Sequence, residues 1–130
     1  SIATMSESDQ NPSKPALPLK TGQVIAIHSI DFFFKVTEFL QQNWAVIEPE
    51  ENTVKVYFID DASNLFDVMS FDSIQHAERG LRANRFRRLA DEYEDDEQPK
   101  YRLRHPEAPY TVMPRPIYSN GEYWRLPTRN

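Results

Sequence analysis

Residues 44–70 read WAVIEPEENTVKVYFIDDASNLFDVMS, and this stretch decides the fold. Its first piece, Trp44–Glu48, is a short apolar run of strand composition. Pro49–Asn52 is a turn by composition, because Pro presets φ and Asn tolerates left-handed backbone. Thr53–Ile59 (TVKVYFI) is rich in β-branched and aromatic residues, which suit a pleated, packed surface. With a side-chain period of two, Val54, Val56 and Phe58 share one face, and Lys55 and Tyr57 the other. Asp60–Asn64 (DDASN) turns the chain again, and Leu65–Ser70 supplies a third strand. Three consecutive strands joined by short turns predict an antiparallel meander.

On the N-terminal side, Gln23–His28 (QVIAIH) follows Gly22 and reads as a further strand. Ser29 or Asp31 can then cap a helix. Within Ile30–Asn43, residues Phe32, Phe33, Val36, Phe39 and Leu40 fall at i, i+1, i+4, i+7 and i+8. That spacing is one helical face, with Phe34 off it. On the C-terminal side, Asp72 or Ser73 caps a second helix over Ser73–Asn84, or onward to about Leu89. Ile74, Ala77 and Leu81 line its inner face. Gly80 in mid-helix costs about 1 kcal/mol relative to Ala, which points to close packing there. The expected fold class is therefore α+β. A mainly antiparallel sheet with a β-α-β-β-β-α core carries two helices on one face and a C-terminal β-hairpin arm. Val24, Ile27, Phe33, Val36, Val46, Val56, Phe58, Phe66, Val68, Ile74 and Leu81 are among the expected interior residues.

The chain has 130 residues, 39% hydrophobic and 12% aromatic, enough for one domain with a real core. It contains no Cys, which excludes a disulfide scaffold or a thiolate metal site. No apolar run approaches the ~20 residues of a membrane span, and no basic-then-apolar leader predicts export. The cytoplasm is the expected compartment. Met5 reads as the native start. Residues 1–20, with Pro12, Pro15 and Pro18, read as a disordered leader or tether.

Charge is uneven. The net charge of −5 is the sum of very different segments. Residues 21–78 hold ten acids against Lys35 and Lys55, whereas residues 100–130 hold six bases against Glu107 and Glu122. An α+β core over 21–90 is thus followed by an acidic linker over 91–99 and a basic, aromatic arm over 100–130. In the arm, Tyr101 and Leu103 alternate with Arg102 and Arg104, which suits a short edge strand. Asn120-Gly121 between apolar flanks is a hairpin signal, since both residues tolerate positive φ. Such charge asymmetry predicts an interaction, within the molecule or with a partner.

The catalytic inventory is thin. There is no Gly-rich phosphate loop, no G-x-S-x-G and no H-E-x-x-H. His28 with Asp31, joined by His105 and Glu107, could supply metal ligands. The bland alternative is a strand end and a helix cap. Asp60 and Asp61 read as turn residues rather than a paired-carboxylate site. No cofactor is implied. Arg79, Arg82, Arg85 and Arg88 would form a basic stripe if the second helix continued that far, with Arg87 beside it. Tyr101, Tyr110, Tyr118, Tyr123 and Trp124 interleave with Arg102, Arg104, Arg115 and Arg125, the residue types enriched at interface hot spots.

Three functions compete. The first is a non-catalytic protein-interaction module of adaptor, inhibitor, immunity or chaperone type, self-associating as a homodimer. Its partner-binding residues would be Arg79, Arg82, Tyr101, Arg102, Arg104, Tyr110, Arg115, Tyr118, Tyr123 and Trp124. The second is nucleic-acid binding through the Arg79–Arg88 stripe and the basic arm, which the sequence pI of 5.2 disfavours. The third is a ligand-binding or enzymatic pocket near His28. No membrane association is expected.

Overall fold

In a computed structural model, residues 13–15, 19–37, 41–93 and 103–126 are described. Their elements run β1 (Ser13–Pro15), β2 (Val24–Ile25), β3 (Phe32–Val36), β4 (Gln42–Pro49), β5 (Val54–Asp60), β6 (Asn64–Phe71), α1 (Ile74–Ala83) and β7 (Arg87–Arg88). A 3-10 turn over Leu89–Tyr93 and a last strand, β8 (Tyr110–Val112), complete the order. The architecture is α+β, one eight-stranded sheet with a single α-helix among the described residues. The strand order is β2-β8-β6-β5-β4-β3-β7, and β1 pairs with the C-terminal half of β6. Every pairing is antiparallel except that of β6 with β8.

The meander read from residues 44–70 is present as β4, β5 and β6. The expected helix over residues 30–43 is not. Phe32–Val36 is strand β3, which pairs with β4 from Phe32↔Val46 to Val36↔Gln42. Phe32 and Phe34 face one side of the sheet and Phe33 the other, and all three are buried. A strand covered on both faces loses the alternation that marks it in a sequence. Three consecutive Phe residues then match a helical spacing by coincidence, and aromatic β-propensity decides. Phe39 and Leu40 lie outside the described residues. The strand expected over Gln23–His28 shrinks to Val24–Ile25, and Val24 is 60% exposed at the sheet edge rather than interior.

Both faces of the sheet are covered. On the first, Phe33, Ala45, Ile47, Val56 and Phe58 meet Ala77 and Leu81 of α1 together with Phe86, Tyr118 and Trp124. On the second, Phe32, Phe34, Trp44, Val46, Tyr57 and Ile59 meet Leu19, Ile25 and Ile27 from one end of the chain and Leu103, Tyr110 and Val112 from the other. Each large side chain buried this way contributes roughly 1.5–3 kcal/mol before its entropic cost. Glu48 ties the N-terminal cover down, accepting from the backbone N–H of Ser29 at 2.7 Å and of His28 at 3.1 Å.

Helix α1 starts where expected. The Ser73 hydroxyl accepts from the His76 N–H, an N-cap. It ends at Asn84, and the cause is a Schellman closure. The Phe86 N–H donates to the Leu81 carbonyl and the Arg85 N–H to the Arg82 carbonyl, while Arg85 takes φ +68°. The apolar contact that accompanies this motif is Phe86 in the core with Leu81. Ile74, expected inside, is 42% exposed at the first turn.

Trp124 seats the C-terminal segment on α1 over Gly80. A Cβ on Gly80 would lie 2.8 Å from the Trp124 ring and 3.3 Å from Phe71. Gly80→Ala should therefore destabilise the fold by about 1–3 kcal/mol through overpacking, against the ~1 kcal/mol that Ala gains in helix propensity. Urea unfolding followed by tryptophan fluorescence measures this; a stabilised variant would contradict the close approach.

Candidate functional site

The C-terminal segment is held by side chains that capture its backbone. Buried Asp67 sits at a bulge of β6, where Phe58 and Ile59 of β5 face Asp67 and Leu65. One carboxylate oxygen accepts from the N–H of Tyr118 at 2.9 Å and of Ser119 at 2.8 Å, and the other from Val68. Asn84 grips Arg125 twice. Its amide oxygen accepts the Arg125 N–H at 2.7 Å, and its amide nitrogen donates to the Arg125 carbonyl at 2.8 Å. Asn120 accepts from the Glu122 N–H and donates to the Pro116 carbonyl.

These captures correct the hairpin expectation. Residues 117–124 turn back at Asn120-Gly121, with Gly121 at φ +82°, but they form no strands. Side-chain acceptors, Asp67 for Tyr118 and Ser119 and Asn120 for Glu122, satisfy N–H groups that a ladder would have used. The edge strand expected around Tyr101–Arg104 is likewise absent at Leu103 and Arg104. The Arg104 N–H instead donates to the Gln42 side chain. Tyr101 and Arg102, and most of the acidic run, lie outside the described residues.

The sequence-selected residues are thereby sorted. Tyr110, Tyr118 and Trp124 are buried in the core, while Tyr123 is 59% exposed. The basic stripe does not form, because the helix ends before Arg85. Of its members Arg82 pairs with Glu78 and Asp91 and Arg88 with Asp31 and Glu78, and the neighbouring Arg87 pairs with Glu92. Arg88 and Arg82 lie over the Phe33 ring, at 5.1 and 5.8 Å. Arg104 pairs with Asp61 at 2.7 Å. Arg79 is exposed on α1.

The metal candidates do not converge. Asp31 holds Arg88, and His105 packs its ring 4.4 Å from Phe32 and 4.9 Å from Trp44. Asp60 accepts from the N–H groups of Ala62 and Asn64, ordinary turn chemistry. Among the described residues no three His, Cys, Asp or Glu are placed to share a metal.

What the fold does assemble is a cationic groove. Lys35 of β3 and Asn43 of β4 are cross-strand neighbours on its floor. The returning segment forms its wall. The groove has a volume of about 730 Å³, is open to solvent, and is lined by Lys35, Thr37, Gln41, Asn43, Arg115, Tyr118 and Tyr123 among others. A second hollow of about 290 Å³ lies between the end of α1 and the same segment, lined by Lys35, Ala83, Asn84, Arg85, Glu122, Tyr123 and Arg125. The two share Lys35 and Tyr123.

Four cations line these spaces, and their backbones are fixed. The Arg115 N–H donates to the Phe66 carbonyl and its guanidinium lies 5.0 Å over the Phe66 ring. Arg125 is held by Asn84, Arg85 by the Schellman closure, and Lys35 by β3. Among the described residues none of the four has a carboxylate within ion-pair distance, unlike Arg82, Arg87, Arg88 and Arg104. Lys35 is pushed below the usual lysine range, first by partial burial and then by the charges of Arg85 and Arg125. Tyr118 is pushed above the usual tyrosine value by burial, although its hydroxyl accepts a hydrogen bond from Asn43 at 3.0 Å.

Lys35, Arg85 and Arg125 were not among the residues the sequence singled out as partner-binding. The available signal was Lys35 itself, one of two bases in a strongly acidic stretch and set within an apolar run. No protein family, characterised protein or solved structure matches the chain. Among the described residues no helix is long and apolar enough to cross a membrane.

Two outcomes follow from this geometry. Asp67→Asn leaves one oxygen for three backbone donors. It should cost about 1–3 kcal/mol and deprotect the Tyr118 and Ser119 amides in hydrogen exchange. Burial also raises Tyr57 and Tyr110 above 10.0. The unfolded tyrosines therefore ionise first. Stability contributed by these phenols is intact below about pH 10 and falls as pH rises through their folded values. Denaturation midpoints between pH 8 and 11.5, alongside tyrosinate absorbance, measure that decline.

Proposed function

We propose that the protein is a non-catalytic binding module whose cationic groove takes an acidic segment of a partner protein. One observation carries this reading. Among the described residues most other arginines are ion-paired, whereas Lys35 and Arg115 in the open groove, and Arg85 and Arg125 in the hollow that adjoins it at Lys35 and Tyr123, sit on fixed backbones with no carboxylate within ion-pair distance. Uncompensated charge on a preorganised frame suits an anionic ligand, because little is lost in ordering the site. The exposed Tyr123 ring between the two hollows supplies an aromatic anchor of the kind common at hot spots. The groove lies open to solvent, unlike the enclosed cleft usual for small substrates. Nucleic acid is the weaker reading, since no continuous stripe forms over Arg79–Arg88, Arg82, Arg87 and Arg88 there are ion-paired, and the body around them is acidic.

The test uses a fluorescent Asp/Glu-rich peptide and a single-stranded oligonucleotide of equal charge. Lys35→Glu combined with Arg115→Glu should weaken peptide binding at least tenfold, about 1.4 kcal/mol or more, with the circular dichroism spectrum unchanged. Peptide affinity unaltered by the reversal would sink the proposal. Tighter, reversal-sensitive binding of the oligonucleotide would hand the groove to nucleic acid. Light scattering of the unliganded chain checks whether the acidic segment belongs to a second copy: a dimer dispersed by the same reversal is that result.

A further inference from the structure

We infer that the smaller hollow, bounded by Lys35, Arg85 and Arg125, is a phosphoryl-binding site, built for one phosphate-monoester dianion. This rests on the proposed groove reading and names the chemistry at its inner end: a phosphorylated side chain within the acidic segment.

Three features converge on that chemistry. The first is charge. Three cations line the hollow against one carboxylate, Glu122, leaving a formal surplus of two positive charges. A phosphate monoester carries about −1.5 to −2 near neutral pH, so it matches the surplus where a single carboxylate would not. Partial burial is the first cause that lowers Lys35, and the repulsion from Arg85 and Arg125 that adds to it is the same surplus seen from inside the cluster, the part a bound dianion relieves.

The second is size. At about 290 Å³ the hollow lies at the lower edge of the ~300–1,000 Å³ usual for drug-sized ligands, so it suits a headgroup rather than a nucleotide. The larger groove beyond Tyr123 is free to take the residues that flank it.

The third is the backbone of Arg85. Position C′ of a Schellman closure belongs to Gly, because in left-handed backbone a Cβ crowds the following carbonyl oxygen. An Arg at φ +68° is out of place for stability alone. It delivers a guanidinium to the hollow. The end of a helix ordinarily repels anions through its free carbonyls. Here the Gly80, Leu81 and Arg82 carbonyls all accept hydrogen bonds, from Asn84, Phe86 and Arg85 respectively, so that repulsion is muted.

The experiment compares an acidic peptide carrying phosphoserine with its serine and glutamate counterparts, and titrates inorganic phosphate against chloride at fixed ionic strength. Amide and side-chain NMR shifts report where each binds. Arg85→Gly is the informative variant, since it removes the charge and relieves the strained backbone, so misfolding cannot explain a loss. Lys55→Gln controls for the loss of one positive charge elsewhere. The phosphopeptide should bind at least tenfold tighter than the serine form, with shifts at Arg85 and Arg125 and Lys35 moved back toward its ordinary pKa. Arg85→Gly should cut the ratio to about threefold or less, and Lys55→Gln should leave it. Inorganic phosphate that shifts the same residues, with no preference among the peptides, would keep the site and assign it to free phosphate. Equal binding of all three peptides with no phosphate shifts would overturn the phosphoryl site alone, since sensitivity to Arg115→Glu would still support the groove. Phosphate shifts at Arg85 with no acidic peptide bound would reject the groove reading instead.

Discussion

The meander of β3–β6 is apolar on both faces, and this constraint shapes the rest of the molecule. Phe33, Ala45, Val56 and Phe58 point one way, while Phe34, Trp44, Tyr57 and Ile59 point the other. An antiparallel sheet usually leaves one face wet, but this one cannot. A ten-residue helix covers only part of the first face. The chain must therefore return with Tyr118 and Trp124 to finish it, and that return carries Arg115 and Arg125 to Lys35. The return that completes the core thus also sets the walls of the cationic groove.

What could be read in advance follows the same logic. β4, β5 and β6 were legible because turn residues bracket β-branched runs at Pro49–Asn52 and Asp60–Asn64. The start of α1 was legible through Ser73, and the close packing at Gly80 through a glycine where a helix would prefer Ala. Phe32–Phe34 was not legible, because double-sided burial erases alternation and leaves a false helical spacing. The basic residues were visible but not their fates. Nothing local distinguishes Arg88, which reaches Asp31 across the sheet edge, from Arg85 three residues earlier. The aromatics of the arm posed the same difficulty. Tyr118 and Tyr123 share composition and neighbourhood, yet one is core and the other open to solvent. Only long-range partners, Asp67 and Asn43 for Tyr118, separate them.

Buried polar groups do much of the positioning. Asp67, Asn84 and Asn43 are each almost fully buried and each is hydrogen-bonded, which avoids the penalty of an orphaned group. Each sends at least one bond to the C-terminal segment. They specify where that segment lies, a task that apolar contacts alone would leave degenerate. Electrostatics divides along a similar line: among the described residues Arg87 and Arg88 of β7 are neutralised in place, whereas Arg115 and Arg125 of the returning segment and Arg85 just past the helix have no carboxylate within ion-pair distance.

The pairing of β2 with β8 has a consequence for how the chain is made. Val24 lies beside Thr111, 87 positions further along the chain, so this edge of the sheet closes only after most of the chain exists. Such non-local pairing is slow, because loop entropy is lost before the contacts form. During synthesis, the 41 residues from Phe71 to Val112 take about 2–8 s at ~5–20 residues per second. Throughout that interval the Phe34, Trp44 and Ile59 face lacks Tyr110 and Val112. The nascent chain therefore presents a sticky, half-covered sheet to the cell for seconds, a window in which holding factors compete with aggregation.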